Sequence, residues 1–184
     1  MKRLGLLLTL LVVTGAGAAC DDLESAAVTV NGEETSQSSV DDDLRAIRDN
    51  DSLAELAEQA GNEIARSPGT IASDVTVGWL SFLVQSEVAD QELARLDVKV
   101  TNADREQGMQ QAAQFFGSAE AFDEFSPSFQ DQVVDRISAL IALQGELGDV
   151  AAFQELMASA DVDVDPRYGT WSTEQLTVLS PSRT

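Results

Sequence analysis

DVTVGWLSFLVQSEVADQELARL, residues 74–96, decides the fold. The stretch contains no Pro, and Val75, Trp79, Phe82, Leu83, Leu93 and Leu96 recur at helical spacing. Around Trp79–Val84 the apolar residues spread beyond one stripe, which predicts a helix buried on most sides. Asp74 is the expected N-cap, because its carboxylate can accept from free amides of the first turn. The short run Asp97–Thr101 separates this helix from the next. The stretch is therefore read as the spine of one small, mainly α domain.

Downstream, Thr101 and Asp104 stand at capping-box spacing and open a helix that runs to Phe116. Met109, Ala112, Ala113 and Phe116 give it an apolar side. Ser126-Pro127 opens a long helix, since Pro at the first helical position loses no amide partner. Phe129, Val133, Ile137, Leu140, Ile141 and Leu147 line one face, and Gly148 ends it. Asp149 caps a last helix in which Val150, Phe153, Leu156 and Met157 turn inward. Residues Asp161–Asp165 and Leu176–Leu179 read as extended, with Pro166, Gly169 and Trp171 in the turn between them.

Upstream, Ala26–Val30 is a β-prone run followed by the turn signal Asn31-Gly32. Ser39 and Asp42, at capping-box spacing, place a helix start there, with Leu44 and Ile47 as its apolar contacts. Leu53, Leu56 and Ala60 suggest a second short helix, and residues 61–73 form the longest loop. No repeat and no linker divides residues 26–184, which form a single helical domain with a few short strands.

The N-terminus speaks to compartment. Lys2 and Arg3 precede the ten-residue apolar run Leu4–Val13, too short for the roughly 20 residues a spanning helix needs. Residues 1–19 read as a signal peptide and 20–25 as a polar tether. Gly17-Ala18-Ala19-Cys20 resembles the bacterial lipoprotein signal, in which the Cys becomes lipidated and N-terminal. Gly17 departs from the aliphatic residue usual there. Cleavage after Ala18 is the alternative, leaving the thiol of Cys20, the sole cysteine, near the new end. Lipidation of Cys20 would hold the protein at the outer face of the cytoplasmic membrane, each buried CH₂ contributing about 0.8 kcal/mol.

Charge and chemistry narrow the classes further. The chain carries a formal net charge of −21, and removing residues 1–19 lowers Lys plus Arg from 11 to 9 against 32 Asp plus Glu, giving −23. So acidic a chain repels nucleic acid. There is no His, which removes the commonest general base and metal ligand. Serines are plentiful, but none lies in a Gly-x-Ser-x-Gly turn. Asp161-x-Asp163-x-Asp165 has the start of a calcium loop, yet Pro166 replaces its turn Gly and Ser172 its bidentate Glu. An alternating strand accounts better for it. No enzyme activity, cofactor or metal is expected.

The pattern Val28-Thr29-Val30-Asn31-Gly32-Glu33, a Ser before an acidic helix, and Leu44 within it resemble the N-terminal chaperone domain of the SurA type. Gly69-Thr70-Ile71, Trp79-Leu80, Glu92-Leu93, Val98-Lys99-Val100-Thr101 and Ala103-Asp104-Arg105 continue the likeness. The ending Val164-Asp165-Pro166-Arg167-Tyr168-Gly169-Thr170-Trp171 is similar to secreted lipoprotein members. The resemblance implies a design like that of PrsA-like foldases, in which helices from both ends of the chain cradle unfolded secreted proteins. It implies a chaperone module without the parvulin domain, whose His this chain lacks. It also implies that Ala26–Val30 pairs with the C-terminal extended segments.

Five of the seven Phe fall in FFGSAEAFDEFSPSF, residues 115–129. Phe115, Phe116, Phe122, Phe125 and Phe129 are thus candidate client-binding residues, since unfolded chains offer apolar side chains in no fixed geometry. Core packing between two helices is the competing account of the same rings. The functional expectation is a membrane-tethered holdase for unfolded or partly folded secreted proteins. The alternative is a non-catalytic envelope lipoprotein that binds or scaffolds one partner.

Overall fold

The computed structural model describes residues 25–65 and 69–181. The signal, Cys20 and the tether up to residue 24 lie outside the described residues. Among those residues the fold is mainly α: seven helices and five short strands. The strands are β1 (Ala26–Val30), β2 (Glu33–Ser36), β3 (Val162–Val164), β4 (Thr170–Ser172) and β5 (Thr177–Leu179). The helices are α1 (Gln37–Arg48), α2 (Asp51–Gln59), α3 (Ser73–Leu96), α4 (Asn102–Phe115), α5 (Ala119–Asp123), α6 (Pro127–Leu147) and α7 (Val150–Ser159).

Helix α3 is the spine. Trp79, Leu80, Ser81, Phe82, Leu83 and Val84 are all buried, so more than one full turn has no solvent side. Helix α6 packs against both α3 and α4. α4 comes close to α6 at Gly108, where an added Cβ would lie 2.3 Å from Ser138 Oγ and 3.1 Å from the Val134 carbonyl oxygen. Only a missing side chain lets the two backbones come so near.

The ends of the chain are joined, partly as the sequence suggests. β1 sits between β2 and β3 in an antiparallel sheet, with Val28 opposite Val164 and Val30 opposite Val162. β4 and β5 instead pair with each other, so Trp171 lies in a strand rather than a turn. β5 is bound to the spine: the Val178 amide donates to Ser81 Oγ at 2.8 Å, and Gln85 Nε2 to the Leu176 carbonyl at 2.9 Å. Tyr168 is buried and donates its hydroxyl to Asp41 on α1 at 3.0 Å. Asp165 accepts from Gln37 Nε2 at 2.6 Å and from the Arg167 amide at 2.9 Å, so it serves as a structural clamp.

Several helix starts differ from their expected positions. The N-cap of α1 is Ser36, which accepts from the Ser39 amide; β2 runs directly into the helix, so its last residue takes the capping role. α3 begins one residue before Asp74, after Ala72, whose side chain cannot cap; the Ala72 amide donates to the Ile64 carbonyl at 2.7 Å. The capping box of Thr101 and Asp104, the Ser126-Pro127 start, the left-handed Gly148 end and the Asp149 cap are present. Met109 and Val150 face solvent, because α4 turns Gly108 and Ala112 to α6, and α7 buries Met157 instead.

Candidate functional site

The five candidate Phe divide sharply. Phe116, Phe122, Phe125 and Phe129 are buried. Their ring centroids stand 4.5 Å apart for Phe125–Phe129, 4.7 Å for Phe116–Phe125 and 5.8 Å for Phe116–Phe122. Trp79 continues the stack, 5.5 Å from Phe129. These four rings fill the joint between α4, α5 and α6, and of them only Phe116 reaches the lining of the groove beside Phe115. Their reading as surface residues is corrected: edge and offset contacts plus burial stabilise them as core. Phe115 alone remains at the surface, 50% exposed, its ring 5.2 Å from that of Phe82.

Phe115 stands at the rim of an open, mainly apolar groove of about 440 Å³. Buried Ile47, Ile64 and Trp79 form the floor, and half-buried Leu53, Leu56, Ala57 and Val75 rise around it. The opening has two causes in the sequence. First, Gly78 lies mid-helix on α3 facing the groove, and nothing stands within 4 Å of where its Cβ would be. Second, α2 has no fully buried residue. It is fastened chiefly at its N-terminus, where Asn50 caps the Leu53 amide and donates to the Ala121 carbonyl at 2.7 Å, and Glu124 accepts from the Ser52 amide. The apolar face of α2 therefore leans over the groove without filling it.

The floor is held from behind. Trp79 Nε1 donates to Asp43 Oδ2 at 3.2 Å, inside the core. Burial pushes the Asp43 carboxyl up, against the lowering effect of the Trp79 hydrogen bond and of the Arg136 charge. Arg136 in turn donates to Ser86 Oγ at 3.0 Å. The indole is thus held by a polar contact in the core and by stacking on Phe129, and Trp79 also lines the groove.

Among the described residues the groove's lining is apolar apart from Asn62, Glu63 and Asp74. The charged side chains on its lining are Glu63 and Asp74, both exposed. Its chemistry is that of binding: a few apolar side chains of a partner could enter and displace water from Ile47, Ile64, Trp79 and Phe115. Other exposed large apolar residues, Met109, Val150 and Leu179, lie outside this groove. Scattered singles of that kind are ordinary on a protein surface. Of the five Phe concentrated in residues 115–129, only the first two, Phe115 and Phe116, border the groove. The signal that could have located the groove is Gly78, a helix-weakening residue inside an otherwise strong helix.

No protein family, no curated protein and no solved structure matches the chain.

Proposed function

We propose that the protein binds apolar segments of polypeptides in the groove between α2, α3 and α4, acting as a non-catalytic holdase for unfolded or partly folded exported proteins. The observation that carries this reading is the open groove itself, with an indole floor, an exposed Phe115 rim and no side chain at Gly78 to fill it. An unfolded chain hides its apolar side chains there and is kept from other unfolded chains. Lipidation of Cys20 would hold this activity at the outer face of the cytoplasmic membrane, where exported chains emerge.

A second reading is favoured by one feature: four of the five Phe are core, so the apolar surface is a single compact groove rather than a broad cradle. One groove suits one short segment of one partner, as an envelope scaffold would require. Aggregation assays separate the two. The purified protein should slow aggregation of several unrelated unfolded clients, and Phe115→Ala should weaken that effect. Phe115 is half exposed, so its loss costs about 1 kcal/mol of stability, against 3–5 for a buried ring. Absence of suppression at several-fold excess over varied clients would remove the holdase reading and leave the single-partner one.

A further inference from the structure

We infer that the groove selects segments whose apolar anchors are flanked by Lys or Arg. The inference rests on the groove being a polypeptide site and adds the charge of its occupant. Among the described residues the lining carries Glu63 and Asp74 and no basic residue. Neither acid takes part in an ion pair among the described residues. Helix α2, the overhanging wall, contributes Asp51, Glu55 and Glu58 and likewise no cation. Among the described residues the basic side chains nearest in sequence, Arg45 and Arg48 on α1, are already paired with Asp42 and Asp49, and Arg66 lies outside the described residues. Five carboxylates, Asp51, Glu55, Glu58, Glu63 and Asp74, thus surround the apolar floor, more than Arg66 alone could offset, so an incoming Lys or Arg meets a net negative rim and an incoming Asp or Glu meets repulsion. The same charge opposes a second copy as occupant, since two chains of net charge −21 repel.

The test uses three labelled peptides that share two Phe anchors and differ only in flanks: Lys, Gln or Glu. Binding to the purified full-length protein is read by fluorescence anisotropy at about 50 mM and about 500 mM NaCl, because screening lengths shrink several-fold over that range. The Lys-flanked peptide should bind on the order of tenfold more tightly than the Gln-flanked one at low salt, from two solvent-exposed charge contacts. High salt should erase most of that margin. The double variant Glu63→Gln, Asp74→Asn should bring the ratio of Lys-flanked to Gln-flanked affinity close to one.

Equal binding of the Lys and Glu peptides, or a margin that survives the double variant, overturns the charge selection and leaves the groove reading standing. Binding of no peptide at all overturns both. A concentration-dependent dimer that Gly78→Leu abolishes would make the occupant a second copy. Peptide binding that occurs only after removal of residues 1–24 would make it the chain's own N-terminal segment. Either outcome overturns the inference.

Discussion

Gly78→Leu fills the groove from the spine. The residue lies in the interior of α3, is exposed, and an added Cβ would meet nothing within 4 Å. Replacing Gly in a helix interior by a good helix former stabilises by about 0.8–1 kcal/mol. In a domain of this size each kcal/mol moves Tm by about 2–4 °C. The leucine side chain would also lie over Val75 and Trp79, taking the space an incoming side chain would use. Two readouts therefore move in opposite directions. Thermal unfolding followed by circular dichroism should show Tm raised by about 2–4 °C. Aggregation suppression, or affinity for an apolar peptide, should fall by at least on the order of tenfold, the equivalent of about 1.4 kcal/mol. Gly78→Ala is the matched control: it gains the same helix stability but is too small to fill the groove, so it should keep binding. A lower Tm for Gly78→Leu would mean that the position is not open. A higher Tm with undiminished binding would mean that clients bind elsewhere.

The other helical glycine facing a neighbour, Gly108, should respond with the opposite sign. Gly108→Ala gains helix propensity but drives a methyl into Ser138 Oγ, which is itself bonded to the Val134 carbonyl at 2.6 Å. Overpacking of this kind costs about 1–3 kcal/mol, so urea denaturation should show a net loss; a gain would mean that α4 and α6 stand further apart. Asp90 has its carboxyl pushed up to about 6, first by loss of hydration and then by the neighbouring Glu87. The folded protein thus holds this proton more tightly than the unfolded chain, a contribution to stability present below the ordinary aspartate range and lost as pH rises through 6. Asp90→Asn should therefore raise Tm at pH 7.5, by about 1–2 °C because the exposed side chain is screened. That gain should shrink to nothing near pH 4, and one that is constant with pH would contradict the assignment. Cys20→Ser should move the protein from the membrane to the soluble fraction; retention on membranes after a high-salt wash would rule out anchoring through this residue.

What could be read from the sequence was local. The Thr101–Asp104 box, Pro127 at a helix start and Gly148 at a helix end each solve their problem with residues a few positions apart. The buried spine was legible because Trp79–Val84 is apolar all round. Other features depend on what meets the chain from outside. Strand β2, Glu-Glu-Thr-Ser, has no apolar alternation and exists because β1 offers it a pairing edge. Ala72 replaces Asp74 at the helix start because its amide is tied to the loop at Ile64. Met109 and Val150 have the right spacing to be buried, but the neighbouring helix takes Gly108 and Met157 instead. Helical period places residues on a face without saying which face finds a partner. The groove is assembled from residues near positions 47, 53–57, 64, 75–79 and 115. Sequence spacing cannot show that these converge, nor that Phe122, Phe125 and Phe129 turn away from the groove while Phe115 and Phe116 line it.

The most direct test of the central claim is the site of client contact. A photo-crosslinking amino acid placed at Val75, half-buried beside the groove, should capture an unfolded client on irradiation. The same group at Gln110, exposed on α4 among polar side chains, should not. The account predicts adducts at Val75 that are lost when Gly78→Leu is added. Equal capture at both positions, or capture at Val75 that survives the filled groove, would contradict it.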